Sequence, residues 1–473
     1  MWNYVKQRMR LYPKSVVSCD QKKVSFSSLI RWAAAASRGL PLVSKCAVLC
    51  RREFNTARGL MLCFEAGITA IPLPVKYGGE ACEKVWQATG FDLVIVDDPA
   101  VLELLPGYAG GVFQLDVGLT EATVFSDADR ELRQAALVMS TSGTTGTPKC
   151  AVITSGGLLA NLLDIQRYFM PGCKDSICIC RPLYHCAVLT GEWLFSLANG
   201  LNIHFHEGGF EPRGLLRELE EDEITVLCAT PTLLHCLCKT AVRKNKRLPL
   251  RHIAVSGECM TYTTADLIQR TLPDAKVYHV YGLTEAGPRV SYLAPALFKT
   301  HPLSVGRPLD TVRLRVMRPG ENVECAEGED GDVQVLGPSV MRQYYRDAEA
   351  TGRAFSGGWL NTGDVGRLEG GLLYLRGRRD GMIIRAGVNI YPQEIEGRLL
   401  ERKEIEDVLA TGIDREAGGQ GIRLLVQPAR AGADRAQMLA VCRECLPPHL
   451  MPDTIQVVDA IPRNQSGKKI RKG

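Results

Sequence analysis

The chain has no run of about 18 or more apolar residues, so no membrane-spanning helix is expected. Its start, residues 1–20, carries Lys6, Arg8, Arg10 and Lys14 but not the apolar stretch that comes after such residues in a secretory leader, which makes a cytoplasmic location the expectation. Charge of one sign is also missing. The 57 basic and 52 acidic residues leave a net +5, a mixed solvated surface rather than a nucleic-acid footprint. The 17 cysteines, among them Cys46, Cys50, Cys63, Cys82, Cys228, Cys236 and Cys238, lack the paired spacing of a zinc ribbon. Their odd number fits a reducing compartment better than a disulfide framework, and they read as small buried hydrophobes. There is no internal repeat and no low-complexity linker, so any domain joint has to be located from motifs.

What is present is ordinary globular material. With 473 residues, 45% of them hydrophobic, the chain has enough for more than one core. Short apolar runs at Cys46–Cys50, Leu93–Val96, Ala136–Met139, Thr225–Cys228 and His252–Val255 alternate with amphipathic stretches such as Thr56–Ala66 and Gly214–Glu221. That alternation predicts β-α-β units with mainly parallel sheets, and ligands at the carboxyl ends of the strands. After about residue 305 the texture changes to glycine-punctuated strand-like runs, Val312–Met317, Gly331–Leu336 and Gly371–Arg376, which predict a smaller β-rich subdomain. From Ile383 onward the pattern is mixed α and β again.

The strongest local signal is Ser140-Thr141-Ser142-Gly143-Thr144-Thr145-Gly146-Thr147-Pro148-Lys149, directly after the apolar run Ala136–Met139. Glycines let the backbone turn so that N–H groups face inward, and the hydroxyls add donors, which together make a cradle for phosphate oxygens. It is not a Walker A loop, because the GxxxxGK[ST] spacing does not fit and Pro148 separates the turn from Lys149.

This segment resembles the phosphate loop of the adenylate-forming (AMP-binding) superfamily of acyl-CoA synthetases, aryl-acid ligases, adenylation domains and luciferases, and other motifs of that family appear after it in order. Pro182-Leu183-Tyr184-His185 is similar to its acyl-pocket motif, Tyr281-Gly282-Leu283-Thr284-Glu285 to its adenine and magnesium motif, and Asn361-Thr362-Gly363-Asp364 to its ribose motif. Gly377-Arg378-Arg379-Asp380 through Glu396 is similar to its hinge and the stretch beyond the hinge, and Pro462-Arg463-Asn464-Gln465-Ser466-Gly467-Lys468 to its C-terminal lysine loop. Weaker similarity begins near Tyr12-Pro13.

The resemblance implies ATP bound by Thr141, Ser142, Gly143, Thr144, Thr145, Gly146, Lys149, Tyr281, Gly282, Asp364 and Arg378. Tyr281 would stack on adenine, Asp364 would grip the ribose hydroxyls, and Arg378 would reach ribose or phosphate. Thr284 would donate to the α-phosphate or the reacting carboxylate, Glu285 would offer hard oxygen to Mg²⁺, and Lys468 would bring an ammonium to the developing charge. His185, Ala187, Gly257, Glu258 and Val280 would line the acid pocket. His185 is also open to reading as a structural residue, and Glu258 as a backbone-bonding one. Asp380 matches the hinge, and Gly387 the thiol channel, where a missing side chain suits a narrow passage. Departures from the family pattern are Thr154-Ser155 where histidine is frequent and Ala386 where a second glycine is.

The implied architecture is a large N-terminal α/β domain, residues 1–379, and a small mobile α+β domain, residues 380–473, with the site between them. The implied reaction joins a carboxylic acid to ATP as acyl-AMP, with release of pyrophosphate. The acyl group then passes to a thiol of coenzyme A, or alternatively to the phosphopantetheine of a carrier protein. Ala187 stands where the amino-acid-activating branch keeps an aspartate for the substrate ammonium, so an α-amino acid is not expected. Because Gly473 comes so soon after Lys468, a standalone activator is expected. A non-catalytic binding protein is the competing reading, and the presence of Thr284, Glu285, Asp364, Arg378 and Lys468 opposes it.

Overall fold

The computed structural model describes every residue except 20–21, 121–128, 142–147, 209–210, 386–387, 416–419, 431, 464–468 and 472–473. The continuously apolar runs become central strands because both of their faces are covered. Lys45–Leu49 is buried at every position and lies parallel to Thr69–Pro72 on one side and Leu93–Val96 on the other. Its residues divide between two cores. Cys46 and Val48 join Leu60 and Leu62 of the helix Glu53–Ala66, while Ala47 and Leu49 join Cys82 and Val85 of the helix Gly79–Thr89. Among the described residues this sheet has seven strands and ends in the antiparallel pair Ala135–Ser140 and Cys150–Thr154.

A second sheet carries the parallel strands Asn202–Phe205, Ser176–Ile179, Val226–Ala229, His252–Val255 and Lys276–Tyr281, in that order. It turns antiparallel at Ser291–Leu293 and Ser304–Pro308 and continues through Leu372–Arg378, Trp359–Glu369, Gly331–Leu336 and Arg313–Met317. The β-rich segment expected from the sequence is therefore hydrogen-bonded edge to edge with the parallel strands. Together they form one sheet of 14 strands among the described residues, with a register irregularity between Ser304 and Gly306 where the two parts meet.

Local chemistry sets where the helices begin. Thr154, Thr230 and Thr261 each accept the backbone N–H three residues on, and Pro231 comes directly after Thr230 at the first helical position. The Thr154 hydroxyl takes Gly157 N at 3.0 Å, which gives the residue found in place of histidine a capping duty. The first helix, Trp2–Leu11, buries Trp2, Val5 and Met9. Trp2 Nε1 donates to Glu65 Oε2 at 2.6 Å, and Lys6 Nζ lies 2.9 Å from Glu65 Oε1.

Beyond the turn Arg379–Gly381 a separate core forms. The strands Ile405–Asp414 and Gln420–Pro428 pair antiparallel, Thr454–Val457 adds in parallel, and the helices Pro392–Leu400 and Arg435–Cys445 flank them. Ile395, Leu399, Val408, Leu424, Met438 and Cys442 are buried together there. No helix among the described residues is long and apolar enough to cross a membrane. All 17 cysteines are free thiols and most are buried, as the reading of them as small hydrophobes requires.

Candidate functional site

The two strands of the first sheet's terminal hairpin, Ala135–Ser140 and Cys150–Thr154, are joined through the hydroxyl-rich segment. Its stem is closed by Thr141, whose N and Oγ1 donate to Lys149 O at 2.8 and 3.2 Å. Ser142, Gly143, Thr144, Thr145 and Gly146 lie outside the described residues. Lys149 Nζ stands 5.3 Å from the ring centre of Tyr344, a cation–π distance.

The strand Lys276–Tyr281 delivers the next group. Tyr281 is 8% exposed, and its hydroxyl donates to Asp364 Oδ2 at 2.6 Å. Burial, and next the Asp364 carboxylate, push the Tyr281 pKa far up, so the phenol stays a donor. Asp364 is aimed from its other side by Thr362, whose hydroxyl accepts Asp364 N at 3.1 Å and donates to Val333 O at 2.8 Å. Arg378 completes the cluster. Its Nη1 donates to Thr362 O at 2.8 Å and lies 3.9 Å from Asp364 Oδ1, while Nε and Nη2 reach Asp380 at 3.2 and 3.3 Å. Burial works against the Arg378 charge, but Asp380 and Asp364 outweigh it and hold the guanidinium pKa above its ordinary value.

Past Tyr281 the chain makes the turn Thr284–Ala286. Gly282 is required there by close approach, because a Cβ would fall 1.6 Å from Pro288 O. Tyr344 hydroxyl donates to Glu285 Oε1 at 2.9 Å, and Met341 N donates to Glu285 O at 2.7 Å. Among the described residues no three metal-ligating side chains converge. Glu285 offers the hard carboxylate oxygen that suits Mg²⁺, an ion that commonly travels with substrate phosphates and keeps most of its water.

Of the residues expected around the acid, His185 precedes the short helix Cys186–Val188, its ring 4.5 Å from that of Tyr184, and Ala187 is half-buried on that helix. Gly257 has φ +95°, and Glu258 Oε2 accepts Thr232 N at 3.2 Å, so Glu258 serves the start of the helix Pro231–Arg243. Val280 is buried in the main core. Glu53 supports this region from below: its Oε2 accepts Leu183 N at 2.9 Å, and its Oε1 lies 3.6 Å from Lys76 Nζ. Burial pushes the Glu53 pKa up to about 7, against the pull of Lys76 and Leu183 N.

A carboxyl group whose pKa is raised by folding stabilises fully below its unfolded pKa of about 4.5, and that contribution is lost as pH rises through about 7. Wild type is therefore expected to lose up to about 3 kcal/mol between roughly pH 5 and 8 relative to Glu53→Gln, which keeps the acceptor for Leu183. Denaturant melts of both proteins across that range check it. Parallel curves would mean that Glu53 does not titrate there.

Gly387 and Lys468 lie outside the described residues. The residues around Lys468 are tied to the small core: Arg463 pairs with Asp407, Lys469 Nζ lies 2.9 Å from Asp407 Oδ1, and Arg471 meets both oxygens of Glu396 at 2.7 and 2.9 Å. Tyr344 is the site residue that sequence reasoning missed, since nothing in its spacing marks it and its partner Glu285 is 59 positions away.

Tyr281, Thr284, Glu285, Asp364, Arg378 and Lys149 thus come together at the ends of strands from two sheets, in an α/β chain that ends in a small second core. That combination fits the adenine-nucleotide site that the sequence motifs imply. The sequence profile of the AMP-binding enzyme family matches residues 5–345, and that of the AMP-binding enzyme C-terminal domain matches residues 394–468. The chain belongs to the AMP-binding enzyme family, and it is a ligase of the AMP-forming kind. It is 29% identical to a 2-succinylbenzoate–CoA ligase of Geobacillus kaustophilus, over 100% of this chain and 97% of the relative. It is also 29% identical to a feruloyl-CoA synthase of an Amycolatopsis species, over 87% and 84%. Among solved structures, the o-succinylbenzoate CoA synthetase of Bacillus subtilis in complex with its acyl-adenylate intermediate superposes with TM-score 0.84 at 24% identity, covering 99% of this chain and 97% of that one. An amide bond synthetase of Marinactinospora thermotolerans gives 0.85 at 23%, covering 99% and 97%. These two likenesses are of fold.

Proposed function

We propose that this enzyme joins a non-α-amino carboxylic acid to ATP as acyl-AMP and then transfers the acyl group to the thiol of coenzyme A. The observation that carries the reading is the Tyr281–Asp364–Arg378 cluster beside the Thr284–Glu285 turn. In the first step a carboxylate oxygen attacks the α-phosphorus and the bond to pyrophosphate breaks. In the second, the thiolate attacks the acyl carbon and AMP leaves. Asp364, held by the Tyr281 phenol and Thr362, receives the ribose hydroxyls, and Arg378 supplies a fixed fork of donors beside it. Thr284 donates to the oxygens that gather charge at the α-phosphate, with Thr141, Lys149 and the hydroxyl-rich segment around the outer phosphates. A divalent cation at Glu285 would supply charge neutralisation for the pyrophosphate.

Residues 1–379 and 380–473 act as two domains, with Asp380 as the hinge that lets Lys468 serve one step and the channel at Gly387 the other. His185, Ala187, Gly257 and Val280 wall the acid. The free thiols throughout the chain favour a reducing, cytoplasmic setting. Curated relatives act on 2-succinylbenzoate, ferulate and long-chain fatty acids, which favours an aryl or fatty acid here.

The test is a pyrophosphate-release screen over fatty, benzoic, cinnamic and amino acids, run with coenzyme A, with a phosphopantetheinyl carrier protein, and with neither. Acid-dependent release together with a coenzyme A thioester is the expected result. A thioester on the carrier protein alone would reassign the acceptor. Since Ala187 offers no counterion, α-amino acids are expected to turn over at least tenfold less well than their des-amino analogues, because an unpaired ammonium in the pocket costs several kcal/mol. A preference for the amino acid over its des-amino analogue would contradict that pocket assignment.

A further inference from the structure

Behind the turn that carries Thr284 and Glu285 the chain buries a cation with no ion pair to a carboxylate among the described residues. Arg289 is 2% exposed, and none of its Nε, Nη1 and Nη2 meets an oxygen or nitrogen acceptor among the described residues. Its backbone is firmly held. Asn161 Nδ2 donates to Arg289 O at 2.8 Å, Arg289 N donates to Asn161 Oδ1 at 3.4 Å, and Val290 N donates to Tyr281 O at 2.8 Å. A Cβ on Gly282 would lie 3.0 Å from the Arg289 Cα, so Arg289 adjoins the nucleotide turn. On its other side position 191 is glycine, where a Cβ would stand 2.7 Å from Nη2 and 2.9 Å from Nε. Gly191 belongs to the wide helical turn Leu189–Leu194, which continues the helix headed by His185. The guanidinium thus lies between the nucleotide turn and the segment that walls the acid.

The one neighbouring carboxylate, Glu192, is shared between Arg289 and Arg181 and neutralises only one of them. Glu192 is fully buried and gives Oε1 to Arg181 Nη2 at 2.6 Å. Cys228 lies within hydrogen-bonding reach of Arg289, but burial first and Glu192 next push its thiol up to about 12, so it stays neutral and offers no countercharge. Tyr168 is likewise pushed up to about 12 by burial, and its hydroxyl has no partner among the described residues. Two guanidinium groups and one carboxylate leave an excess positive charge. Arginine does not escape burial by losing its proton, and a buried charge without a partner costs several kcal/mol. An anion that arrives with the substrate removes that cost.

We infer that Arg289 receives a second carboxylate at the far end of the acid, so that the enzyme selects dicarboxylic acids. The inference rests on the proposed acid activation and names its substrate class. The guanidinium fork matches a carboxylate through two parallel hydrogen bonds. The bound carboxylate stays unreacted and orients the other toward Thr284.

The test compares acids that differ only at the distal group: 2-succinylbenzoate against 4-oxo-4-phenylbutanoate, and adipate against its monomethyl ester, by kcat/KM for pyrophosphate release. Wild type is expected to favour the diacid of each pair by roughly 10- to 100-fold, the range of a charge-assisted hydrogen bond. R289M should collapse that ratio and R289K should retain part of it. G191A should lower the ratio by displacing the guanidinium. Removing an unpaired buried charge should also leave R289M melting no lower than wild type, which a structural role would not allow. Equal use of both members of each pair by wild type overturns the inference whether or not R289M folds, as does an R289M ratio unchanged from wild type. Absence of pyrophosphate release with any acid would overturn the proposed activity itself, and the inference with it.

Discussion

Lys468→Ala is expected to slow adenylation by roughly two to three decades, about 3 to 4 kcal/mol, the loss seen when one preorganised donor is removed from a developing charge. During that step negative charge shifts onto the α-phosphate and the departing pyrophosphate, so a positioned ammonium stabilises the transition state more than the ground state. Thiol attack on a finished acyl adenylate has a different geometry and no departing pyrophosphate. Thioester formation from synthetic acyl-AMP should therefore survive in the variant. On either side of Lys468, Arg463 and Lys469 pair with Asp407 and Arg471 meets Glu396. Both steps measured in wild type and variant with one acid decide the matter. If adenylation is unaffected, or both steps fall together, Lys468 is not the adenylation lysine.

Asp380→Pro should separate the half-reactions differently. Asp380 sits in the turn Arg379–Gly381, between the last long strand of the large sheet, Leu372–Arg378, and the first strand of the small core, Ile383–Arg385. Proline locks φ near −65° and removes a backbone donor, so one orientation of the small core is trapped. One half-reaction should then fall by roughly a hundredfold or more, because its domain orientation is no longer reached, while the other keeps most of its rate. Asp380→Ala is the control. It removes the carboxylate that meets Arg378 but leaves the backbone free, and that half-exposed pair is worth little, so both steps should change only modestly. Equal loss of both half-reactions in a folded Asp380→Pro protein would make the residue structural and the hinge assignment wrong.

How much of this is legible in the sequence depends on how far each interaction reaches. Runs such as Leu93–Val96 and His252–Val255 are strands in the structure because continuous apolar residues need cover on both faces, a property that sequence alone displays. The helix starts at Thr154 and Thr230 are local as well. The joining of the β-rich segment to the parallel sheet is not legible, because it depends on pairings such as Ser304 with Tyr374, and residues far apart along the chain leave no mark on each other. The same holds for the site. Motif order brings forward Tyr281, Glu285, Asp364 and Arg378, but the bond that fixes Asp364 to Tyr281 spans 83 positions, and the one from Tyr344 to Glu285 spans 59. Glu258 reads in sequence as either a pocket or a backbone-bonding group, and in the structure its Oε2 accepts Thr232 N, a contact that sequence spacing does not show. Nothing in the sequence distinguishes Arg289 from an ordinary surface charge. Only its burial against Gly191 makes it a candidate for reading the acid.

The central claim is that the chain forms an acyl adenylate from an acid and ATP. Acid-dependent exchange of labelled pyrophosphate into ATP, without any thiol present, tests it most directly. Exchange is expected to require both the acid and a divalent cation, with AMP as the nucleotide product once coenzyme A is added. Exchange that proceeds without an acid, or turnover that yields ADP and phosphate, would contradict it.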